Sequence, residues 1–347
     1  MHAAEVSDDA ARQAFVDAMK PRREGRPVVA VLARNDGTEM TDLLLPHAVL
    51  QRSGVVDVQI VAPRAGRVAL YPALQVDGAQ EFAEFDRGHP AGADYVIVPA
   101  MEGDDDARIH AWLRAQAERG ARVVSVCAGA LVAARARLLD GRRFATHWYY
   151  RDKALELARG AAFVPNQRYV VDRGLGSTTG ITASVPTMVA LVEAIAGRER
   201  AQALADELGV ASWAPTHDSA RFGLNGARRW AYVVDKTAFW RAERWAVDVH
   251  DGSDDVALAL AADAWSRTGL VRVEAAANAP VRLRSGLLLS AQAAAPGAPR
   301  LPLTPTLKPL QQLDRTLCEI DERFGDARRD RAEQEMEYPA TARACAP

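Results

Sequence analysis

Cysteine is scarce in this chain of 347 residues, which contains only Cys127, Cys318 and Cys345. The three do not form an even or closely spaced set, and the sequence has no CxxC pair. Disulfide-rich secreted domains and zinc-binding modules normally carry such spacings. The pattern therefore argues against both classes and predicts reduced thiols and a cytoplasmic location.

Long apolar runs and an excess of one charge are also missing. No run approaches the roughly 20 apolar residues that cross a bilayer, so no membrane partner is expected. The net charge of −2 offers no general attraction to nucleic acid or anionic lipid. Residues 1–20 carry acidic side chains and lack the unbroken apolar segment of a signal peptide. These absences leave an ordinary soluble globular protein.

Strand-like and helix-like segments alternate between residue 27 and about residue 210. Apolar runs typical of buried strands occupy residues 27–34, 56–63, 94–100 and 121–127, separated by helix-like or hairpin-like segments. Such alternation predicts a parallel sheet covered by helices. We predict that residues 1–210 form an α/β domain with a flavodoxin-like, doubly wound parallel sheet and helices on both faces. Ligands of such sheets bind beyond the carboxyl ends of the strands.

Cys127 lies at such an end, where the fourth apolar run meets an alanine-rich helix. A thiol there would face the amino terminus of the helix, whose partial positive charge lowers a thiol pKa. Ala128 and Gly129 would leave the first backbone N–H groups uncovered, so that an oxyanion could bind them. The alternative is a buried cysteine that acts as a small hydrophobic residue.

Two further residues could share this cleft. Asp42 stands in an apolar helical stretch after the first strand, either on the solvent face of that helix or at its end near the cleft. In the cleft, a carboxyl with a raised pKa could hydrogen-bond a thiolate or relay a proton. His147 could act as a base or orient a substrate, although a histidine beside Trp148 and Tyr149 is also an ordinary structural residue. The acidic run at residues 102–106 has no histidine at ligand spacing, so no metal site is predicted.

Together these motifs resemble the ThiJ/PfpI superfamily of class I glutamine-amidotransferase-like domains. The motifs are the acid four residues before proline in TDLLLP, the elbow run VVSVCAGA, the following LLDGRRFATHW, and the weaker STTGITASVPTMVALVEAIAG. The resemblance covers roughly residues 27–210. It implies that Cys127 is a nucleophile on a strained elbow, that Asp42 is the acid bonded to it, and that His147 borders the pocket. It also implies a homodimer.

Departures from the family pattern disfavour some of the activities found in the family. Ala128 occupies the place where peptidase-like and amidase-like members carry histidine, which disfavours both activities. Ala100 and Met101 replace the usual glycine pair after the third strand. In the aspartate at position 42 and in the THW run, the sequence is most similar to isonitrile hydratases and to the sensor domains of AraC-type regulators.

A hydratase would attack the isonitrile carbon with the Cys127 thiolate. Asp42 would deliver or relay a proton, and water would release an N-substituted formamide without a cofactor. The substrate would be small and mostly apolar, in a pocket lined by Met101, Ala128, Gly129, Trp148, Tyr149 and Thr179. Two alternatives remain open: a non-enzymatic sensor that binds a metabolite or registers oxidation of the cysteine, and glyoxalase-like or deglycase-like action on 2-oxoaldehydes.

Residues 211–347 are predicted to form an α+β accessory domain that contains a degenerate half-repeat. When Gly54 is aligned with Gly269, residues 245–292 repeat the strand, helix, strand and hairpin pattern of the first domain. Ala257 then occupies the position of Asp42 and no second cysteine elbow follows, so a structural or dimerising role is expected. A coincidental similarity between βα units is the alternative.

The sequence argues against DNA as a partner. Residues 201–224 imitate a helix-turn-helix, but Pro215 interrupts the supposed recognition helix. The basic and aromatic residues between positions 221 and 244 could contact nucleic acid, although a solvated helix face explains them equally well. A proline-rich segment and a charged amphipathic helical segment end the chain.

Overall fold

The computed structural model describes residues 8–223 and 242–338. Its α-helices are α1 (Asp8–Ala18), α2 (Met40–Ser53), α3 (Phe82–Gly88), α4 (Ala107–Glu118), α5 (Gly129–Arg135), α6 (Arg151–Leu157), α7 (Ser184–Ala196), α8 (Arg198–Leu208), α9 (Asp255–Arg267), α10 (Pro309–Phe324) and α11 (Asp326–Met336). Its strands are β1 (Val28–Leu32), β2 (Thr38–Glu39), β3 (Asp57–Ala62), β4 (Gly66–Tyr71), β5 (Gln75–Glu81), β6 (Tyr95–Val98), β7 (Arg122–Ser125), β8 (Arg143–Phe144), β9 (Ala162–Phe163), β10 (Tyr169–Asp172), β11 (Leu175–Thr178), β12 (Glu243–Asp248), β13 (Val271–Ala276), β14 (Val281–Arg282), β15 (Leu288–Leu289) and β16 (Arg300–Leu301).

A mostly parallel central sheet organises the first two thirds of the chain. Its strands follow the order β10-β11-β7-β6-β1-β3-β5-β15-β14. The pairs from β11 to β5 are parallel, whereas β10 and β15 join the sheet antiparallel. Every residue of β6 is buried, which explains why the inner strands read as unbroken apolar runs. The predicted flavodoxin-like α/β class, with helices flanking the sheet, is confirmed.

In its described residues the C-terminal region adds a second sheet and three helices, in line with the predicted accessory α+β part. The parallel strands β13, β12 and β16 form this sheet, and α9 packs on α2 of the first region. β15 pairs with β5, so the C-terminal region also extends the central sheet. The sequence boundary at residue 210 stays a prediction.

The structure contains no recognition helix in the described part of the supposed helix-turn-helix. α8 ends at Leu208, and residues 209–223 contain no helix. Residues 224–241 lie outside the described ranges. Cys318 is disulfide-bonded, so the expectation of reduced thiols is wrong for this residue. Cys345 lies outside the described ranges. Within those ranges no helix is both long and apolar enough to span a bilayer.

Candidate active site

Cys127 lies on a tight elbow between β7 and α5, as the sequence predicts. Its backbone has φ +54°, a left-handed conformation that is uncommon and strained outside glycine. A Cβ atom added at Gly129 would lie 1.9 Å from the carbonyl oxygen of Val98, so only glycine lets α5 begin this close to β6. Thr146 Oγ1 donates a hydrogen bond of 2.8 Å to the Cys127 carbonyl and secures the elbow from the other side.

Asp42 reaches the same end of the sheet from the first turn of α2. Its side chain is fully buried, and Oδ2 accepts a 3.0 Å hydrogen bond from the Ala100 N–H. The other oxygen, Oδ1, is buried without a hydrogen-bond partner among the described residues. Burial, and secondly the charge of Glu39, raise the pKa of Asp42 well above its usual range. The carboxyl can therefore hold a proton with one oxygen directed at no protein group.

Cys127 is buried, with only 5% of its surface exposed. Burial raises its pKa well above the usual range, and the nearby Asp42 and Glu39 raise it further. A hydrogen bond from the Ala128 N–H acts in the opposite direction, as expected at a helix N-terminus, but it is outweighed. The helix N-terminus therefore acts in the predicted direction, but the net shift of the Cys127 pKa is upward, because the sequence shows the helix start and not the burial and the nearby carboxyls that oppose it.

We expect Asp42→Asn to lower the pH at which Cys127 becomes reactive. An ionised Asp42 opposes the formation of a thiolate, and asparagine removes that charge while its amide oxygen can still accept from Ala100. The measurement is the rate of Cys127 alkylation by iodoacetamide against pH, followed by mass spectrometry. A midpoint that moves to higher pH in the variant would contradict this expectation and would mean that a protonated Asp42 stabilises the thiolate.

Two tyrosines that the sequence analysis did not identify lie beside Asp42 and Cys127. Burial raises the pKa of Tyr150 to about 12, and the neighbouring Cys127 is the next cause. Burial also raises the pKa of Tyr71, followed by Glu39 and Asp42. Both side chains are partly buried and act electrostatically on Cys127, so their phenols border the site. The pairing of Tyr71 with Glu39 between β4 and β2 is long-range and leaves no local sequence signal.

His147 is held by backbone groups on both ring nitrogens. Nδ1 accepts from the Tyr149 N–H at 3.3 Å, and Nε2 lies 3.0 Å from the Glu335 carbonyl oxygen. These contacts favour the structural alternative that the sequence left open, since a proton acceptor for Cys127 needs a free nitrogen. Tyr149, which the sequence predicts to line the pocket, is 41% exposed and lies largely at the surface. Its neighbour Tyr150 is partly buried instead.

The other predicted pocket residues are distributed around the elbow. Ala128 and Gly129 begin α5 directly after Cys127, and Met101 follows the residue that bonds Asp42. Thr179 is buried, and its hydroxyl has no partner in the described part of the chain. Trp148 is partly buried and turned toward the C-terminal region, where its ring N–H donates to the Gln334 carbonyl at 3.2 Å.

The C-terminal region supplies charged residues to this site. Arg267 of α9 donates a 2.6 Å hydrogen bond to Glu39, and it also bonds Asp263 at 3.0 Å. Burial raises the pKa of Asp263 to about 7. Glu337 follows α11, pairs with His217 at 3.0 Å and accepts from the Trp148 N–H at 3.0 Å. The described residues contain no group of three or more candidate ligands that could hold a metal ion.

Comparisons with known proteins agree with this geometry. A family model described as the DJ-1/PfpI family matches residues 27–194. An isonitrile hydratase from Pseudomonas putida is 31% identical over 185 residues, which are 52% of this chain and 77% of that protein. The HTH-type transcriptional regulator GbdR from Pseudomonas aeruginosa is 31% identical over 133 residues, which are 38% of this chain and 36% of the regulator.

The fold is also found in a crystal structure of a ThiJ/PfpI family protein from Pseudomonas syringae. The two structures superpose with a TM-score of 0.51 at 21% sequence identity, over 63% of this chain and 89% of that chain. At that identity the likeness shows the fold alone.

Proposed function

The chain belongs to the DJ-1/PfpI family, and on that premise we propose that it is a cofactor-independent isonitrile hydratase with Cys127 as its nucleophile. One observation carries the proposal: a cysteine on a left-handed elbow stands beside a buried carboxyl that can hold a proton on an unpartnered oxygen. The similarity to a known isonitrile hydratase supports the choice of reaction.

The first proposed step adds the S–H group of Cys127 across the isonitrile carbon. The sulfur forms the new S–C bond, and one proton passes from sulfur to carbon through the Asp42 carboxyl. The product is a thioimidate, R–N=CH–S–Cys. Because the proton is relayed within the site, a thiol with a raised pKa can react without first releasing its proton to solvent.

Water completes the proposed cycle. It adds across the C=N bond of the thioimidate, the C–S bond breaks, and the sulfur regains a proton as R–NH–CHO leaves. The phenols of Tyr71 and Tyr150 are suited to hold the incoming water or the developing oxyanion, since both side chains are partly buried next to Cys127.

The charge of the site favours a neutral substrate. Glu39, Asp42 and Glu337 all act on Cys127, and Arg267 is bonded to Glu39 and Asp263. An anionic ligand would therefore be repelled at the sulfur. Isonitriles carry no net charge and offer an electrophilic carbon to the nucleophile, which fits both the burial and the charge.

The test is the formation of N-substituted formamide from cyclohexyl isocyanide and tert-butyl isocyanide, followed by proton NMR. We expect many formamide molecules per protein chain, and no product from the corresponding nitriles, whose carbon carries a substituent. Methylglyoxal in a parallel reaction tests the glyoxalase-like alternative, which would consume the 2-oxoaldehyde instead. Formamide no faster than in protein-free buffer would contradict the hydratase proposal.

A non-enzymatic sensor is the second candidate. The burial of Cys127 and its raised pKa favour it, because they describe a resting thiol and not a free thiolate. The relationship to a transcriptional regulator, of which this chain spans about a third, gives it further support. A sensor would be stabilised by the isonitrile in a thermal melt without consuming it. A DNA-binding regulator would in addition show salt-dependent binding to duplex DNA.

A further inference from the structure

The N-terminal and C-terminal regions contact each other through two reciprocal ion pairs. α2 and α9 pack together, and each ends with an arginine in its last turn. Arg267 of α9 donates to Glu39, the N-cap of α2, at 2.6 Å. Arg52 of α2 donates to Asp254, the N-cap of α9, at 2.7 and 2.9 Å.

The residues of the two pairs are related by a single alignment of the sequence. The same number of positions separates Glu39 from Asp254, Arg52 from Arg267, and the capping glycine Gly54 from Gly269. The parallel pair β12 and β13 flanks α9 in the chain as the parallel pair β1 and β3 flanks α2. Contacts in which position i meets j and j meets i are those that two copies make across a two-fold axis. The C-terminal half-repeat thus contacts α2 as a second copy would.

We propose that Arg267, supplied by this half-repeat in place of a partner subunit, is a positioning residue for the Asp42–Cys127 pair. The proposal deepens the proposed function, because it names the group that orients the acid of that reaction. It also means that α2 is already covered by the chain's own repeat, so a homodimer has to use another surface.

A continuous chain of hydrogen bonds connects Arg267 to the acid. One oxygen of Glu39 accepts from Arg267, and the other accepts from the Asp42 N–H at 2.7 Å. The Asp42 carboxyl in turn accepts from Ala100. Glu39 is nearly fully buried, so without the arginine its charge would face Asp42 and Cys127 uncompensated. Arg267 therefore fixes both the orientation of the first turn of α2 and the charge beside it.

The charged groups around these hydrogen bonds come from several elements. α2 and its cap contribute Glu39 and Asp42, α9 contributes Asp263, and α11 contributes Glu335, which lies 3.4 Å from Arg267. Glu337 acts on Cys127 from the end of α11. Arg267 is the cation that contacts Glu39, Asp263 and Glu335 at once, so its removal leaves these carboxyls to repel one another.

The second ion pair provides a matched control within the same molecule. Arg52 bonds Asp254, and Asp254 accepts from the Ala257 N–H at 2.9 Å. Ala257 stands where the first half carries Asp42, so this chain of hydrogen bonds ends at a methyl group with no cysteine beside it. Loss of Arg52 should cost stability at the same interface and leave the thiol chemistry unchanged.

The experiment compares Arg267→Met with Arg52→Met in the full chain. The readout is the pH profile of Cys127 alkylation by iodoacetamide, with thermal unfolding as the measure of folding. We expect the alkylation midpoint of Arg267→Met to rise by about half a pH unit or more, and that of Arg52→Met to change by less than about 0.2 unit. Adding Glu39→Gln to Arg267→Met should restore the midpoint, because it removes the uncompensated charge.

Equal shifts in both arginine variants, or no shift in either, would overturn the proposal. If Arg267→Met does not fold, Arg267→Lys replaces it: lysine keeps the charge but cannot bridge Glu39 and Asp263 as a guanidinium does, so a smaller shift of the same sign is expected. An unchanged midpoint in the lysine variant would then count against the proposal. Alkylation needs no substrate, so this outcome is independent of whether the protein hydrates isonitriles.

Discussion

Cys127→Ala should reduce formamide formation by at least about 10³-fold while the protein remains folded. The expected loss is large because the proposed reaction passes through a covalent S–C bond, and a methyl group can form none. Cys127→Ser should be equally inactive, since a hydroxyl in this buried site loses its proton far less readily than a thiol. The measurements are initial rates by NMR and the unfolding midpoint by circular dichroism.

Ser125→Ala is the control for this prediction. Ser125 ends β7 two positions before the cysteine, and its hydroxyl is buried without a partner in the described part of the chain. Its removal changes the same strand without touching the proposed chemistry, so activity should stay near that of the wild type. A Cys127→Ala variant that still turns over isonitriles would mean that another group forms the bond, and the proposed nucleophile would be wrong.

Local patterns in the sequence predicted the central sheet and the position of the elbow. The apolar runs at residues 27–34 and 121–127 contain β1 and β7, because strands buried on both faces need no polar alternation. The elbow was predictable because cysteine, alanine and glycine follow one another where a strand gives way to a helix. Asp42 could be identified as a candidate site residue because acidic side chains are rarely buried in an apolar helix without a partner or a function.

Residues that enter the site through long-range packing could not be predicted in this way. Arg267 contacts a residue 228 positions away in the sequence, and no local pattern announces such a pair. The sequence does show the repeat that contains Arg267. Because the repeat lacks counterparts of Asp42 and Cys127, it was expected to have a structural or dimerising role only. The direction of the Cys127 pKa was missed for the same reason, since burial and carboxyls from α2 and the end of α11 determine it.

Gly129→Ala should be among the most destabilising single substitutions in the chain. The added Cβ would overlap the Val98 carbonyl oxygen at 1.9 Å, and this contact is with backbone, which cannot move aside as a flexible side chain can. The same oxygen accepts a 2.9 Å hydrogen bond from Val126, so a shift of β6 would also break the contact that holds the elbow. We expect a loss of roughly 3 to 5 kcal/mol in the free energy of unfolding, or failure to fold.

Gly88→Ala separates this steric effect from the general effect of replacing glycine in a helix. Gly88 ends α3, and a Cβ added there would meet no atom within 4 Å. The control should therefore be neutral or stabilising by up to about 1 kcal/mol, because alanine loses less conformational freedom on folding. Urea unfolding of both variants gives the comparison. If Gly129→Ala were as stable as Gly88→Ala, α5 could not approach β6 as closely as the elbow requires, and the geometry proposed to hold Cys127 beside Asp42 would be wrong.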